Sequence, residues 1–393
     1  MERADALTLR AAKKFGTPLY VYEQSVIEDQ CRKLKRYFPE VAFHYAMKAN
    51  SNPAVLAIIR KEGIGCESVS LGELTLAQKA GFNKNAMSFT CSNITERELT
   101  EAAASGVRVH LDSLEQLRNW GRLKLGREVS LRLNQGIGAG HHAHVITGGP
   151  NSKFGITLKD IPEAMDIAKK FGLRITGIQQ HIGSNVLEVE TFLKAARTLL
   201  KTARTFSDLE HIDFGGGIGV PYHTNEKQLD LKALGKEFKI LIREFQKNMG
   251  KSVSFAMEPG RFLVAEAGSL LVTVVDLKST EKHQFAGVNS GFNQLVRPAM
   301  YGSYHQIDNL SRSKGKRGEV TVAGNVCESG DILASKRTML IPEIADVLAI
   351  RNAGAYGFSM ASFYNLRALP REVLITSAGA MKDISFVPGD FVR

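Results

Sequence analysis

Apolar residues recur along the first two-thirds of the chain in short runs with β-branched and aromatic character. Eight such runs read as strands: Val41–Met47, Gly65–Val69, Ala86–Thr90, Val107–Asp112, Val129–Asn134, Ile175–His181, His211–Phe214 and Val253–Glu258. After most of them the spacing shifts to that of an amphipathic helix, as in Ser70–Ala80, Leu114–Leu123, Ile161–Phe171, Val189–Thr205 and Leu231–Asn248. Gly81, Gly106 and Gly172 stand where helix C-caps belong. Strand alternating with helix predicts parallel βαβ units. Eight units in so short a stretch predict a closed, TIM-like (β/α)8 barrel, with a doubly wound open sheet as the alternative.

Past Gly268 the texture changes. Leu270–Asp276, Phe285–Val288, Gly318–Ala323, Val347–Arg351 and Glu372–Thr376 are strand-like, with no long helix between them. This predicts an α/β protein with a C-terminal all-β domain. Pro18–Tyr22 is also strand-like and is assigned to the β domain. The expected division is 24–268 for the barrel, and 1–23 with 269–393 for the β domain.

Composition narrows the choice. Lys and Arg number 51 against 40 Asp and Glu, a net charge of +11, which raises nucleic acid as a partner. The basic residues are spread out, however, and the densest stretch, Arg312–Arg317, reads as a solvated loop. No nucleic-acid partner is expected. The four cysteines, Cys31, Cys66, Cys91 and Cys327, lack C-x-x-C spacing, which argues against a disulfide scaffold or structural zinc and suits a reducing cytosol. No apolar run approaches the ~20 residues of a membrane span, and no apolar stretch follows the charged N-terminus, so a cytoplasmic location is expected.

Catalytic groups of such barrels sit at the C-terminal ends of the strands. Those ends carry Lys48, Glu67, Ser68, Asp112, Arg132, Asn134, His181, Gly215–Gly217, Glu258 and Arg261. Lys48, in Tyr45-Ala-Met-Lys-Ala-Asn50, reads either as an ordinary lysine past a strand or as an amine nucleophile whose pKa is lowered by burial. Asp213-Phe-Gly-Gly-Gly-Ile-Gly219 reads as a flexible turn or as an anion nest, at a barrel position where phosphate sites recur. Glu258-Pro-Gly-Arg261 offers a carboxylate for a pyridinium nitrogen and a fork for a carboxylate, or else a surface ion pair. His181-Ile-Gly-Ser184 offers a flat imidazole and a hydroxyl. His141, His142 and His144 lie in the glycine-rich segment 136–149, which reads as a mobile active-site loop; no metal is expected. The β domain adds Arg297-Pro-Ala-Met-Tyr301, Cys327-Glu-Ser-Gly-Asp331 and Gly354-Ala-Tyr-Gly357. Cys327 reads as a small apolar side chain or as a proton donor.

Taken together, these stretches resemble the pyridoxal-phosphate decarboxylases of the alanine-racemase-like fold type, and within them the diaminopimelate decarboxylases. The resemblance runs from about Pro18 to Ile375, with Y-A-x-K-A-N, H-I-G-S, G-G-G, E-P-G-R, R-P-x-x-Y, C-E-S-x-D and G-A-Y-G in the family's order. Ser152-Lys-Phe-Gly-Ile156 also looks like the family. The resemblance implies pyridoxal 5'-phosphate as cofactor and roles at the matching positions. Lys48 would bond the cofactor, His181 would stack on its ring, and Glu258 would pair with the ring nitrogen. Ser184, Gly215, Gly216, Gly217, Gly260 and Tyr356 would hold the phosphate, with Arg261 beside them. Arg261, Arg297 and Tyr301 would take the distal carboxylate of a diamino-acid substrate, with Tyr356 close by and Glu328 near the distal amine. Lys48 or Cys327 would return a proton after CO2 leaves. A head-to-tail homodimer is implied, with Cys327 and Glu328 reaching the other subunit's site. The implied activity is decarboxylation of meso-2,6-diaminopimelate to L-lysine.

Several stretches depart from the family pattern. Asn289-Ser-Gly-Phe-Asn-Gln294 carries amides where the family usually has D-A-G-x-N-D. Ala345-Asp346 replaces a usual Gly-Asp, and Asn365-Leu-Arg-Ala-Leu-Pro370 replaces N-S-R-P. Such changes keep open a relative acting on D-lysine, D-ornithine or another basic amino acid. An alanine racemase, a cofactor-binding carrier without activity and a cofactor-free aldolase are further alternatives. The C-E-S motif, the large β domain and the intact Glu258 motif respectively speak against them.

Overall fold

The computed structural model describes residues 3–140, 149, 152–281, 283–387 and 389. His141, His142 and His144 lie outside the described residues. Eight strands form the barrel: Ala42–Ala46, Gly65–Ser68, Met87–Thr90, Arg108–Leu111, Glu128–Asn134, Arg174–Gln179, His211–Asp213 and Ser254–Met257. All pair in parallel and in chain order, and the eighth closes on the first through Ala256↔Ala42 and Met257↔Phe43. The open-sheet alternative is thereby excluded.

Local chemistry sets the intervening helices. Ser70 caps Leu71–Lys79 by accepting from the Glu73 amide. Thr95 and Glu98 form a capping box at the start of Glu96–Ala104. Gly172 ends Ile161–Phe171 in the left-handed conformation, which a glycine adopts without steric cost.

The barrel interior is unusually polar. His44, Ser88, His110, Ser130, Gln179, His211, Asp213 and Glu258 are all buried. Two glycines make room for them. A Cβ at Gly65 would lie 2.7 Å from His44 Cδ2, and one at Gly177 would lie 2.5 Å from Ser130 Oγ.

The N-terminal strand Leu19–Glu23 runs antiparallel to Gly268–Ser279 and parallel to Arg371–Ile375 within the C-terminal sheet. Its side chains alternate between two cores. Tyr20 and Tyr22 join the large core shared with the barrel, while Leu19 and Val21 join a smaller one. Ala11 and Ala12 of the helix Arg3–Phe15 complete that smaller core. This helix is absent from the sequence reading, because its apolar stripe is thin and interleaved with Arg and Lys. Among the described residues of the β domain the longest helix after Gly268 is Arg297–Tyr301.

The two domains meet at the turn that carries Lys48. The Ala49 carbonyl accepts from the Tyr356 amide (2.8 Å) and from Ser359 Oγ (3.2 Å). Asn50 Nδ2 donates to the Gly354 carbonyl at 3.1 Å. Asn52 Nδ2 and Tyr22 Oη each donate to the buried Glu372 carboxylate.

Candidate active site

A cavity of about 190 Å³ opens at the C-terminal mouth of the barrel against the β domain. Lys48, His181, Ser184, Gly217, Glu258, Gly260, Arg261, Arg297, Tyr301 and Tyr356 line it, together with Ala46, Ile218 and Met360. Residues as far apart in the chain as Ala46 and Met360 thus share one wall system only because the domains pack. Gly215 and Gly216 lie in the turn behind Gly217.

Lys48 Nζ sits 3.1 Å from Glu67 Oε2, a carboxylate that is only 1% exposed. Burial alone would lower the amine's pKa. The neighbouring Glu67, with Tyr356 and Glu258 further off, outweighs burial and holds it above the ordinary lysine range. Of the two readings of Lys48, the lowered pKa is the one this environment opposes. Lys48 is an ammonium held by a carboxylate, and Glu67 was visible only as one polar strand end among many.

His181 Nδ1 accepts from the Gly216 amide at 3.1 Å. The nitrogen therefore carries no proton, and burial, Lys48 and Arg132 keep the ring neutral. The glycine turn is demanded by space and by conformation. Gly215 and Gly217 have φ of +72° and +115°. A Cβ at Gly216 would lie 2.3 Å from the Glu258 carbonyl and 3.2 Å from His181 Cε1. Asp213 Oδ1 fixes the turn by accepting from the Gly215 amide at 2.8 Å.

Glu258 Oε2 accepts from Gln179 Nε2 at 2.8 Å, whereas buried Oε1 has no partner. His110, Asp213 and Glu258 each bring a ring nitrogen or carboxylate oxygen within 4.8 Å of the others. Burial pushes the Glu258 carboxyl well above the usual range, and Asp213 and Glu67 push it further. A buried carboxyl with a vacant acceptor, beside a flat neutral imidazole and a glycine cradle, suits the protonated nitrogen of a phosphorylated pyridine ring. The residues present fit pyridoxal phosphate.

Across the cavity stand two guanidiniums. Arg261 donates through Nε and Nη2 to Ser184 Oγ (3.3 and 2.9 Å) and through Nη1 to Tyr222 Oη at 2.8 Å. Its Cζ also lies 4.8 Å from the Tyr356 ring centre. Tyr356 has φ +57°, a strained choice for a non-glycine residue that the hydrogen bond from its amide to the Ala49 carbonyl maintains. Arg297 is 1% exposed. Its Nη1 lies 2.9 Å from His305 Nε2, and its Nη2 has no hydrogen-bond partner among the described residues. His305 Nδ1 lies 2.7 Å from the Arg351 carbonyl, so Nδ1 donates and Nε2 accepts. Burial, then Arg297, pushes this imidazole down to about 3, so it is a neutral acceptor. Tyr222 and His305 escaped the sequence reading. The only signal for Tyr222 was its place just after the glycine turn; His305 carries none.

Cys327 and Glu328 are exposed and do not line this cavity. Asn289 and Gln294 do not line it either. Asn289 Nδ2 donates to the Thr17 carbonyl and hydroxyl, and Gln294 Nε2 donates to the Ala368 carbonyl. A carboxylate could make neither of the two bonds to carbonyls. The family's acids have become amides to serve the β-domain framework, away from the cavity.

Residues 24–265 match the family model of the pyridoxal-dependent decarboxylase, pyridoxal binding domain. Diaminopimelate decarboxylase of Methanothermobacter thermautotrophicus is 43% identical, with 95% of this chain and 89% of that protein covered. The Escherichia coli K12 diaminopimelate decarboxylase is 36% identical over 95% and 92%. A crystal structure of a diaminopimelate decarboxylase superposes with a TM-score of 0.90 at 34% identity, covering 98% of this chain and 95% of that one. Another, from Helicobacter pylori in complex with L-lysine, gives 0.88 at 29% identity, covering 98% of each. Barrel, appended β domain and cavity define a pyridoxal-phosphate-dependent carboxy-lyase. Within that class the chain belongs to the diaminopimelate decarboxylase family.

Proposed function

We propose that this protein removes CO2 from meso-2,6-diaminopimelate to give L-lysine, as a step of lysine biosynthesis. The observation that carries this reading is the pair of guanidiniums, Arg261 and Arg297, in one cavity with Lys48. A diacid brings a second carboxylate that such a pair can bind. A basic amino acid lacking it would leave the buried Arg297 Nη2 without an acceptor, a costly arrangement.

Lys48 would bond the cofactor. His181 would cover its ring, and Ser184, the Gly215–Gly217 turn, Gly260 and Tyr356 would hold its phosphate, with Arg261 on Ser184. The bound cofactor supplies an electron sink for the pair left when CO2 departs. Facing the protonated ring nitrogen, Glu258 would take up the negative charge that burial, Asp213 and Glu67 otherwise oppose, and the dry surroundings would strengthen that contact. Arg297, Arg261 and Tyr301 hold the distal carboxylate, which orients the scissile end toward Lys48. Glu67 retains the Lys48 amine inside the cavity as an ammonium. Its proton replaces the lost carboxyl group at the α-carbon, with Cys327 as the other candidate donor.

The protein acts as a head-to-tail homodimer in which Cys327 and Glu328 serve the neighbouring copy's cavity. Their exposure, and their absence from their own cavity, support this. A reducing, cytoplasmic setting suits the four unpaired cysteines. Among the described residues no helix is long and apolar enough to cross a membrane.

The test is CO2 release by cofactor-loaded protein from meso-diaminopimelate, D- and L-lysine, D- and L-ornithine, and D- and L-arginine. Release from meso-diaminopimelate alone, with L-lysine as product, is expected. Release only from a basic amino acid would overturn the reading.

A further inference from the structure

Between the two guanidiniums lies a side chain that the catalytic roles leave without a task. Tyr222 is 7% exposed. Its hydroxyl accepts from Arg261 Nη1 at 2.8 Å. The Arg297 guanidinium carbon lies 4.6 Å from its ring centre, and that of Arg261 lies 5.7 Å away. The His305 ring meets it edge to face at 5.3 Å. We propose that Tyr222 is the positioning residue of the distal-carboxylate site: it stands in for the substrate's anion, keeps two like charges apart, and fixes both forks for a diacid. This rests on the reading of the cavity as a diaminopimelate site.

The physical case starts from repulsion. Two guanidiniums facing one small buried space repel, and among the described residues no carboxylate is bonded to either. A phenol offers a lone pair to one cation and the negative face of its ring to both. Burial would raise the Tyr222 pKa, but Arg261 and Arg297 together lower it below the ordinary tyrosine value. His305 supports the same arrangement from the far side by accepting from Arg297 Nη1. One nitrogen, Arg297 Nη2, is left unpartnered. An incoming carboxylate can fill that position and share Arg261 with the phenol. A ligand that lacks the carboxylate has no such gain.

The test compares wild type with Tyr222→Phe, which keeps the ring and removes the hydroxyl. In cofactor-loaded protein, KM for meso-diaminopimelate is expected to rise about tenfold with kcat changed less than about twofold. Affinity for L-lysine, which keeps the distal carboxylate, is expected to fall in parallel. Affinity for 1,5-diaminopentane, which lacks it, is expected to stay unchanged. Equal losses for both ligands, or no loss for either, would overturn the proposal. A second measurement needs no variant. L-Lysine, but not 1,5-diaminopentane, is expected to change the near-ultraviolet tyrosine spectrum of the wild type; identical responses would overturn the proposal. Wild type that fails to decarboxylate meso-diaminopimelate would instead sink the substrate reading. A normal wild type with an unaltered Phe variant would sink only the role of Tyr222.

Discussion

The two halves of the cavity are built by different means. The cofactor half is delivered by the barrel itself. Lys48, Glu67, His181, the glycine turn and Glu258 follow successive strand ends, and regular geometry makes neighbours of them. The substrate half is a joint product. Arg261 and Tyr222 come from the barrel, while Arg297, Tyr301, His305 and Tyr356 come from the β domain, which must pack correctly to bring them in. The first half depends on a closed ring of strands, the second on an interdomain seam anchored at Ala49, Asn50 and Asn52. Binding of cofactor and discrimination of substrate should therefore be separable by mutation.

The largest expected effect falls on the cofactor half. Lys48→Ala removes the amine that lines the cavity among the described residues and should lower decarboxylation by about 10³-fold or more. The cofactor's covalent absorbance should vanish while the protein stays folded. Retention of that absorbance would break the comparison at its root. Next comes the substrate half. Arg297→Lys replaces a planar fork with a point charge and should cost about 30-fold in kcat/KM for the diacid, or about 2 kcal/mol. The cofactor dissociation constant should not change. A parallel loss of cofactor would show that the halves are one unit.

This division also explains what was legible in the sequence. Strand runs, helix periods and strand-end polar residues follow from local rules, so the barrel and the cofactor half could be read directly. Tyr222 and His305 could not, because no local spacing marks them: Tyr222 bonds Arg261, 39 positions away, and meets Arg297 across the domain seam, while His305 bonds Arg297, 8 positions away. The charge of Lys48 was left open in the sequence for a related reason. Burial is a local inference, but the Glu67 carboxylate on the next strand decides the sign. The polar barrel interior was hidden too: His44, His110 and His211 look like ordinary strand residues until closure points them inward. The departures at Asn289 and Gln294 looked like changes at the substrate. Their bonds to Thr17 and Ala368 show that they belong to the framework.

A third expected effect lies beneath the cofactor half. Asp213 is fully buried, and burial above all, then Glu67, raises its carboxyl to about 7 against the favourable Gly215 amide and Arg108. His44 and His110 face it from the first and fourth barrel strands, Glu258 from the eighth, and Lys48 stands above. A raised carboxyl costs nothing below its unfolded pKa of about 4, and the cost grows as pH climbs toward 7. Asp213→Asn keeps an oxygen for the Gly215 amide and abolishes the charge. The cofactor-free variant should be more stable than wild type by about 1–2 kcal/mol at pH 8, with the difference gone near pH 4. Denaturant titrations at the two pH values check this. Equal gains at both would mean that packing, not charge, governs the site.

The smallest expected effect lies outside both halves. Ala345 has φ +71°, where the family usually places glycine, and its amide donates to the Val274 carbonyl at 2.9 Å. The next residue, Asp346, is gripped by Arg312 through Nε and Nη2 and by the Glu343 amide, so the turn cannot relax. A left-handed alanine costs about 1–2 kcal/mol, partly offset because glycine loses more chain entropy on folding. Ala345→Gly should therefore stabilise the protein by about 0.5–1 kcal/mol, seen as a higher denaturant midpoint at unchanged slope. This turn touches neither half of the cavity, so KM, kcat and cofactor affinity should stay at wild-type values. A change in KM alone would mean that strain in the β domain reaches Arg297 through the sheet, and that the substrate half extends further into the domain than its lining residues suggest.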